Sequence, residues 1–133
     1  MLAAFALVVV LLNATLVDRR PPNVVRMSLS ATAQGQAHLA EALTVIDIEF
    51  SEPVDRGSVE RRFRIAPYVP GTFSWDRNTT LIFTPTTLLP AQTSFTVSMD
   101  AGFADEAGNA TTSAPDPFVF QTAGPPVVRR NAA

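Results

Sequence analysis

Short runs of alternating apolar and polar residues, separated by turns containing proline or glycine, constrain the fold of this chain more than any other feature. In the clearest run Ile46 and Ile48 alternate with acidic residues, and in the first run Val25, Met27 and Leu29 alternate with the residues between them. Side chains two apart share one face of a strand. Seven strands are predicted on this basis: 23–30, 43–50, 63–65, 71–75, 80–84, 94–100 and 117–122. The predicted fold is all-β, a two-sheet antiparallel sandwich.

Phenylalanine supplies most of the predicted core. Six of the nine phenylalanines fall at alternating strand positions: Phe50, Phe63, Phe83, Phe95, Phe118 and Phe120. Hydrophobic residues make up 47% of the chain and charged residues 17%, which excludes an intrinsically disordered protein. The length suffices for one domain, and the absence of cysteine excludes disulfides and thiolate metal sites. One helical turn is predicted at 56–61, with Asp55 as its cap.

Residues 1–17 form a hydrophobic, predicted helical segment, which 18–22 link to a domain at 23–123. The apolar run 2–17 would span ~24 Å as a helix, less than the ~30 Å hydrocarbon core of a bilayer. A signal-peptide core or a short anchor is therefore predicted, with the domain secreted or membrane-anchored outside the cytoplasmic membrane. Arg19 and Arg20 follow directly, although the positive-inside tendency would keep such a flank in the cytoplasm. A buried strand or helix of a soluble protein is the alternative.

Six short motifs lie at 48–55, 63–67, 81–85, 93–97, 105–109 and 118–122. Their sequences and their order are similar to those of bacterial Ig-like domains of the S-layer-protein type. The chain therefore resembles that family from about residue 22 to residue 122. One departure is Phe95, where the family usually has tyrosine; the change removes a hydroxyl hydrogen bond and keeps the packing. The resemblance implies an immunoglobulin-like sandwich, arranged in tandem in surface and secreted proteins as a spacer or adhesive module without catalytic residues.

The sequence that opens the domain returns near the end of the chain. Pro21 and Pro22 start a Pro-Pro-Asn-Val-Val-Arg run, and Pro125 and Pro126 start a Pro-Pro-Val-Val-Arg run 104 residues later. Because about one domain length separates the two runs, 124–133 is predicted to begin a second, truncated repeat. A proline-rich tail that matches the first strand by chance is the alternative.

The sequence offers no catalytic constellation, cofactor site or metal site. His38 is the single histidine and no nucleophile-elbow motif accompanies it, so a solvated loop residue is predicted. An acidic cluster runs from Asp105 to Asn109, with Asp100 and Asp116 nearby, and Ca²⁺ prefers such oxygen ligands. Aspartate, asparagine and glycine are also ordinary turn formers, and the spacing does not fit an EF-hand. A structural turn is predicted here.

Two groups of side chains bear on a binding function. A basic cluster suited to an acidic polymer comprises Arg56, Arg61, Arg62 and Arg64. Neighbouring Asp55 and Glu60 offset part of that charge and favour an ion-paired, solvated surface. Trp75 and Tyr68 are the aromatic side chains on which a sugar would stack, although a strand tryptophan more often packs in the core.

These observations favour a non-catalytic structural spacer of a bacterial surface protein, with a carbohydrate- or protein-binding adhesion module as the alternative. The predicted partners are neighbouring Ig-like domains or cell-envelope components, with a polysaccharide as a further candidate and the membrane through 1–17. A nucleic acid is excluded, because the net charge of −2 leaves no clustered basic surface for phosphates.

Overall fold

The structure of the chain is a computed structural model, and it describes residues 19–31 and 44–123. The predicted hydrophobic segment 1–17, His38 and the predicted repeat at 124–133 lie outside the described residues. Within the described ranges, no helix has both the length and the apolar character needed to cross a membrane.

Each predicted strand is present, with bounds that differ from the prediction by at most one residue. The strands are β1 (Val24–Ala31), β2 (Thr44–Phe50), β3 (Phe63–Ala66), β4 (Gly71–Asp76), β5 (Thr80–Pro85), β6 (Ser94–Met99) and β7 (Phe118–Gln121). The predicted helical turn is α1 (Arg56–Glu60), between β2 and β3. Asp55 occupies its N-cap position, but its side chain makes no capping hydrogen bond, so the predicted cap is wrong. The hydroxyl of Ser58 instead donates to the Asp55 carbonyl oxygen at 2.8 Å.

The strands form two antiparallel sheets with the strand order of an immunoglobulin constant-type sandwich. One sheet has the order β1-β2-β5-β4 and the other β3-β6-β7. This arrangement confirms the predicted two-sheet sandwich. The described strands number seven and successive strands reverse direction, so the described chain enters at one end of the sandwich, beside Ser51, and leaves at the opposite end, beside Thr93.

The core lies between the inner faces of the two sheets. Its strand residues are Ile46, Ile48, Phe50, Leu81 and Phe83 from the four-stranded sheet and Phe63, Phe95, Val97, Met99 and Phe120 from the three-stranded sheet. The rings of Phe63 and Phe83, one from each sheet, lie 4.8 Å apart. Phe118 is partly buried against the cluster, so all six predicted phenylalanines contribute to the core.

The regular alternation predicted for the first strand is wrong at its start. A bulge between Val24 and Arg26 shifts the pairing of β1 with β2. Val24 and Met27 therefore pack against the core, whereas Val25 is 59% exposed. A bulge inserts one extra residue into a strand and moves the following side chains to the other face. The sequence alone does not show it, because Val24 and Val25 are equally apolar.

Candidate functional site

The described loops of the sandwich divide into a charged end and an uncharged end. The charged end comprises loops 51–62, 77–79 and 100–117, and the chain enters the sandwich beside them. The uncharged end comprises loops 67–70 and 86–93 together with the point at 122–123 where the chain leaves. The charged residues of the first group of loops are Glu52, Asp55, Arg56, Glu60, Arg61, Arg62, Arg77, Asp100, Asp105, Glu106 and Asp116, whereas the described loops of the uncharged end contain none.

Arg62 binds backbone carbonyls of the charged end. Its Nη1 donates to the carbonyl oxygen of Ser58 at 2.8 Å, and its Nε donates to that of Ala101 at 3.2 Å. The guanidinium also lies against Gly102, whose φ of 103° is in the left-handed region. The side chain therefore ties α1 to loop 100–117, and it is not available as a free cation.

Arg56 joins three loops at the charged end. Its Nε donates to Asn78 Oδ1 at 2.7 Å, and its Nη2 donates to the Arg77 carbonyl oxygen at 3.2 Å. The Asn78 amide in turn donates to Glu106. A shallow depression of about 430 Å³ lies over this network. Its polar groups bind one another across loops 51–62, 77–79 and 100–117 and hold those loops in one arrangement.

Trp75 lies on the inner face of β4 and is partly buried against the core. Its ring stacks on Phe50 with centroids 6.3 Å apart, and the Arg56 guanidinium lies 5.6 Å from its centroid. The Trp75 ring therefore packs against Phe50 on the core side and against the Arg56 guanidinium toward the charged end. This position agrees with the packing interpretation and does not present the ring as a platform for a sugar.

The four arginines of the predicted basic cluster do not form one cationic patch. Arg64 pairs with Asp100 at 3.1 Å, and both side chains are more than half exposed. Arg56 and Arg62 make the loop contacts described above, and Arg61 is exposed. The predicted neutralising partners Asp55 and Glu60 are not the residues that these arginines contact; backbone carbonyls, Asn78 and Asp100 are.

Asp105 closes a turn within loop 100–117, as the turn interpretation predicted. It is 3% exposed, and its two carboxylate oxygens accept hydrogen bonds from the backbone N and side-chain Nδ2 of Asn109 at 2.8 and 2.9 Å. The N–H of Gly108, at φ 91°, donates to the Asp105 carbonyl oxygen. No three Asp, Glu or His side chains converge on a metal-sized site within the described ranges.

A groove of about 290 Å³ opens at the side of the sandwich between β3 and β4, which are edge strands of the two different sheets. Its walls include Phe63, Ile65, Val69 and Phe73, and the charged residues Glu60 and Arg64 also line it. A second cleft, of about 370 Å³, lies at the charged end between 21–24 and 111–116. Tyr68 lines the groove between β3 and β4 and is 82% exposed. It is therefore more accessible than Trp75, the other predicted aromatic residue, which is partly buried.

Two residues that organise the charged end were not predicted. The Ser58 hydroxyl is buried and accepts a hydrogen bond from the backbone N of Ala104 at 3.0 Å. Phe103 is buried and packs its ring against Phe50, with centroids 5.6 Å apart. An isolated phenylalanine in an otherwise polar loop was the available signal for Phe103. No local sequence feature predicts the role of Ser58, because its hydrogen-bond partner Ala104 lies 46 residues away along the chain.

The strand order and the antiparallel pairing define an immunoglobulin-like sandwich. Residues 18–122 match the family described as the bacterial Ig-like domain, and the chain belongs to that family. Domains of this family are generally non-catalytic and are typically extracellular or at the bacterial surface. No curated protein matches the chain significantly.

Among solved structures, the chain is similar to an L,D-transpeptidase from Mycobacterium smegmatis. The two are 26% identical, with a TM-score of 0.51, over a match that covers 78% of this chain and 41% of that chain. The chain therefore spans less than half of the length of this structural neighbour.

Proposed function

We propose that the chain is a non-catalytic spacer module of a bacterial surface or envelope protein, secreted or anchored outside the cytoplasmic membrane. The observation that carries the proposal is the course of the chain, which enters at the charged end and leaves at the uncharged end. A module of this kind extends a polypeptide in one direction when it is placed between other domains. Neighbouring Ig-like domains and envelope components are the proposed partners.

The polar side chains of the charged end support this proposal. Arg56, Arg62 and Asp105 hydrogen-bond other loop residues, so their role in the fold is to hold the loops. The match covers 41% of the L,D-transpeptidase, so in that protein a domain similar to this one is part of a longer chain. The family, in which domains are generally non-catalytic, favours the same function.

An adhesion module is the second candidate, and the groove between β3 and β4 favours it. The exposed ring of Tyr68 lies at an apolar groove of about 290 Å³, a volume near the lower limit of small-ligand pockets. Of the predicted binding residues, Tyr68 lies at this groove, whereas Trp75 and Arg62 are engaged in packing and loop contacts. Tyr68→Ser is therefore the variant for a binding test, because Tyr68 is exposed and lines the groove.

Co-sedimentation of the purified chain with bacterial cell-wall material and insoluble polysaccharides tests the spacer proposal. We expect no retention of a chain whose cooperative thermal unfolding shows that it is folded. Retention that Tyr68→Ser abolishes would replace the spacer with a carbohydrate-binding module. Retention that falls steeply with salt and persists in Tyr68→Ser would replace it with an electrostatic binder of an acidic polymer.

A further inference from the structure

The described loops of the uncharged end combine exposed apolar side chains with an absence of charged residues. Tyr68 is 82% exposed and Leu88 is 50% exposed, and they belong to loops 67–70 and 86–93. These loops lie against each other, since the backbone N of Thr86 donates to the Pro70 carbonyl oxygen at 3.0 Å. Loops 67–70 and 86–93 contain no charged residue, although Glu60 and Arg64 line the groove beside Tyr68. Exposed aromatic and aliphatic side chains in uncharged loops have the composition of an interface core and not of an ordinary solvated surface.

The chain leaves the sandwich at the same end, and its exit is fixed. The backbone N of Thr122 donates to the Thr93 carbonyl oxygen at 2.9 Å, and its hydroxyl donates to the Pro90 carbonyl oxygen at 2.6 Å. One residue later the Gln92 N–H donates to the Ala123 carbonyl oxygen at 3.3 Å. Ala123 is therefore held against loop 86–93.

The start of the module is fixed at Pro22. Pro22 is fully buried, and the next residue, Asn23, exchanges hydrogen bonds of 2.9 and 3.0 Å with Ser51. In the repeated sequence Pro126 corresponds to Pro22. Three residue steps separate Ala123 from Pro126, and three extended residues reach at most roughly 11 Å. A following module that starts at Pro125 must therefore lie close to the uncharged end.

We propose that the uncharged end is the docking surface for a following Ig-like module that starts at Pro125, with Tyr68 and Leu88 as the apolar anchors of the contact. The occupant is the end of the following module at which its own chain enters. The contact stiffens the junction, so that consecutive modules transmit orientation along the protein. This inference rests on the proposed spacer function and names the surface through which the spacer meets its neighbour.

A tandem protein tests the contact, with a second copy of the module as the probe. In it the full chain up to Gly124 is followed directly by a second copy of 21–133, which preserves the spacing of the repeat. We expect the first module in the tandem to melt about 4 °C or more above the single chain, since a modest added contact shifts a domain of this size by that amount. The double substitution Tyr68→Ser and Leu88→Ser in the first module removes the rise.

Two controls separate the contact from other effects. The same double substitution in the single full chain should leave the melting temperature nearly unchanged, because both side chains are exposed. Val119→Ser, at a 60% exposed position of β7 away from both ends, should leave the rise in the tandem intact. A flexible insertion of about eight Gly and Ser residues after Gly124 should abolish most of the rise, because it frees the second module from the junction.

An unchanged melting temperature in the tandem, or a rise that survives the double substitution, overturns the docking inference. The spacer proposal stands in either case if the single chain is not retained by wall material. If the single chain is retained and Tyr68→Ser abolishes that retention, Tyr68 belongs to a ligand site at the groove between β3 and β4, and both proposals are wrong. The retention assay on the single chain thus separates failure of the spacer proposal from failure of the docking inference alone.

Discussion

At the scale of single residues, Gly71 shows how closely the neighbouring strands β4 and β5 pack beside the groove. Gly71 begins β4, and the ring of Phe83 from the neighbouring strand lies over it. A Cβ added at Gly71 would lie 2.6 Å from Phe83 Cε2 and 2.8 Å from the carbonyl oxygen of Thr84. Glycine in a strand has no side chain to pack, and it is found where another group approaches the backbone closely. The Phe83 ring is that group here.

Gly71→Ala should therefore destabilise the protein. The added methyl group forces Phe83 or the strand to move, and overpacking of this kind costs about 1–3 kcal/mol in the free energy of unfolding. Urea denaturation of the full chain measures the change.

Gly57→Ala is the matched control for this substitution. Gly57 lies in α1, where the new Cβ would meet the end of the flexible Arg61 side chain at 3.1 Å and Asp55 Oδ1 at an ordinary contact distance of 3.8 Å. Because alanine favours a helix over glycine, this variant should be neutral or more stable by up to about 1 kcal/mol. Equal losses in the two variants would contradict the close approach at Gly71.

At the scale of elements, the bulge determines which side chains of β1 face the core, and side-chain contacts help to hold the charged-end loops together. Arg62, Ser58 and Phe103 connect α1 and loop 100–117 to each other and to the core. These loops have little regular structure of their own, and their backbone polar groups are satisfied both by side chains and by backbone hydrogen bonds between loops, such as that from Asp55 N to the Ala104 carbonyl oxygen. The loops consequently act as one rigid cap on the charged end.

The bulge in β1 makes opposite predictions for two adjacent valines. Val24 packs against the core, so Val24→Thr places a hydroxyl in a partly apolar environment and should cost about 1–3 kcal/mol. Val25 is 59% exposed, so Val25→Thr should change the free energy of unfolding by no more than about 0.5 kcal/mol. Denaturant unfolding of the two variants, which carry the same chemical change, makes the comparison. A larger loss for Val25→Thr would show regular pairing without the bulge.

At the scale of the whole molecule, one core cluster includes residues from both sheets. Trp75 is the only tryptophan in the chain, and it packs against that cluster beside Phe50. Its fluorescence therefore reports on the packing between the sheets, whereas the far-ultraviolet circular dichroism reports on the strands themselves.

The two signals should change together during urea unfolding, with one midpoint, because neither sheet has a separate core that would keep it folded alone. Equilibrium unfolding of the full chain followed by both probes measures this. The Trp75→Phe variant serves as the control that identifies the fluorescence signal. An earlier fluorescence midpoint would show that the sheets separate before the strands unfold, and it would contradict a single cooperative unit.

The strands and most of the core were predictable from the sequence, because period-two alternation and turn residues are local properties of the chain. Ile46, Phe83 and Phe95 are buried as their spacing indicates. The six family motifs and the strand spacing together were sufficient to predict the sandwich and its family. The candidate site was less predictable: the Asp105 turn was anticipated, but the partners of Arg56 and Arg62 and the greater exposure of Tyr68 over Trp75 were not.

The sequence by itself determined the strands, the sandwich and the family of this protein, since each follows from residues close together along the chain. The tertiary structure decided the bulge at Val24, the burial of Phe103 and the bond between Ser58 and the backbone of Ala104. It also decided that the uncharged loops and the chain exit share one end of the sandwich. These features depend on which distant segments meet across the two sheets, and pairing between distant segments leaves no periodic trace in either one.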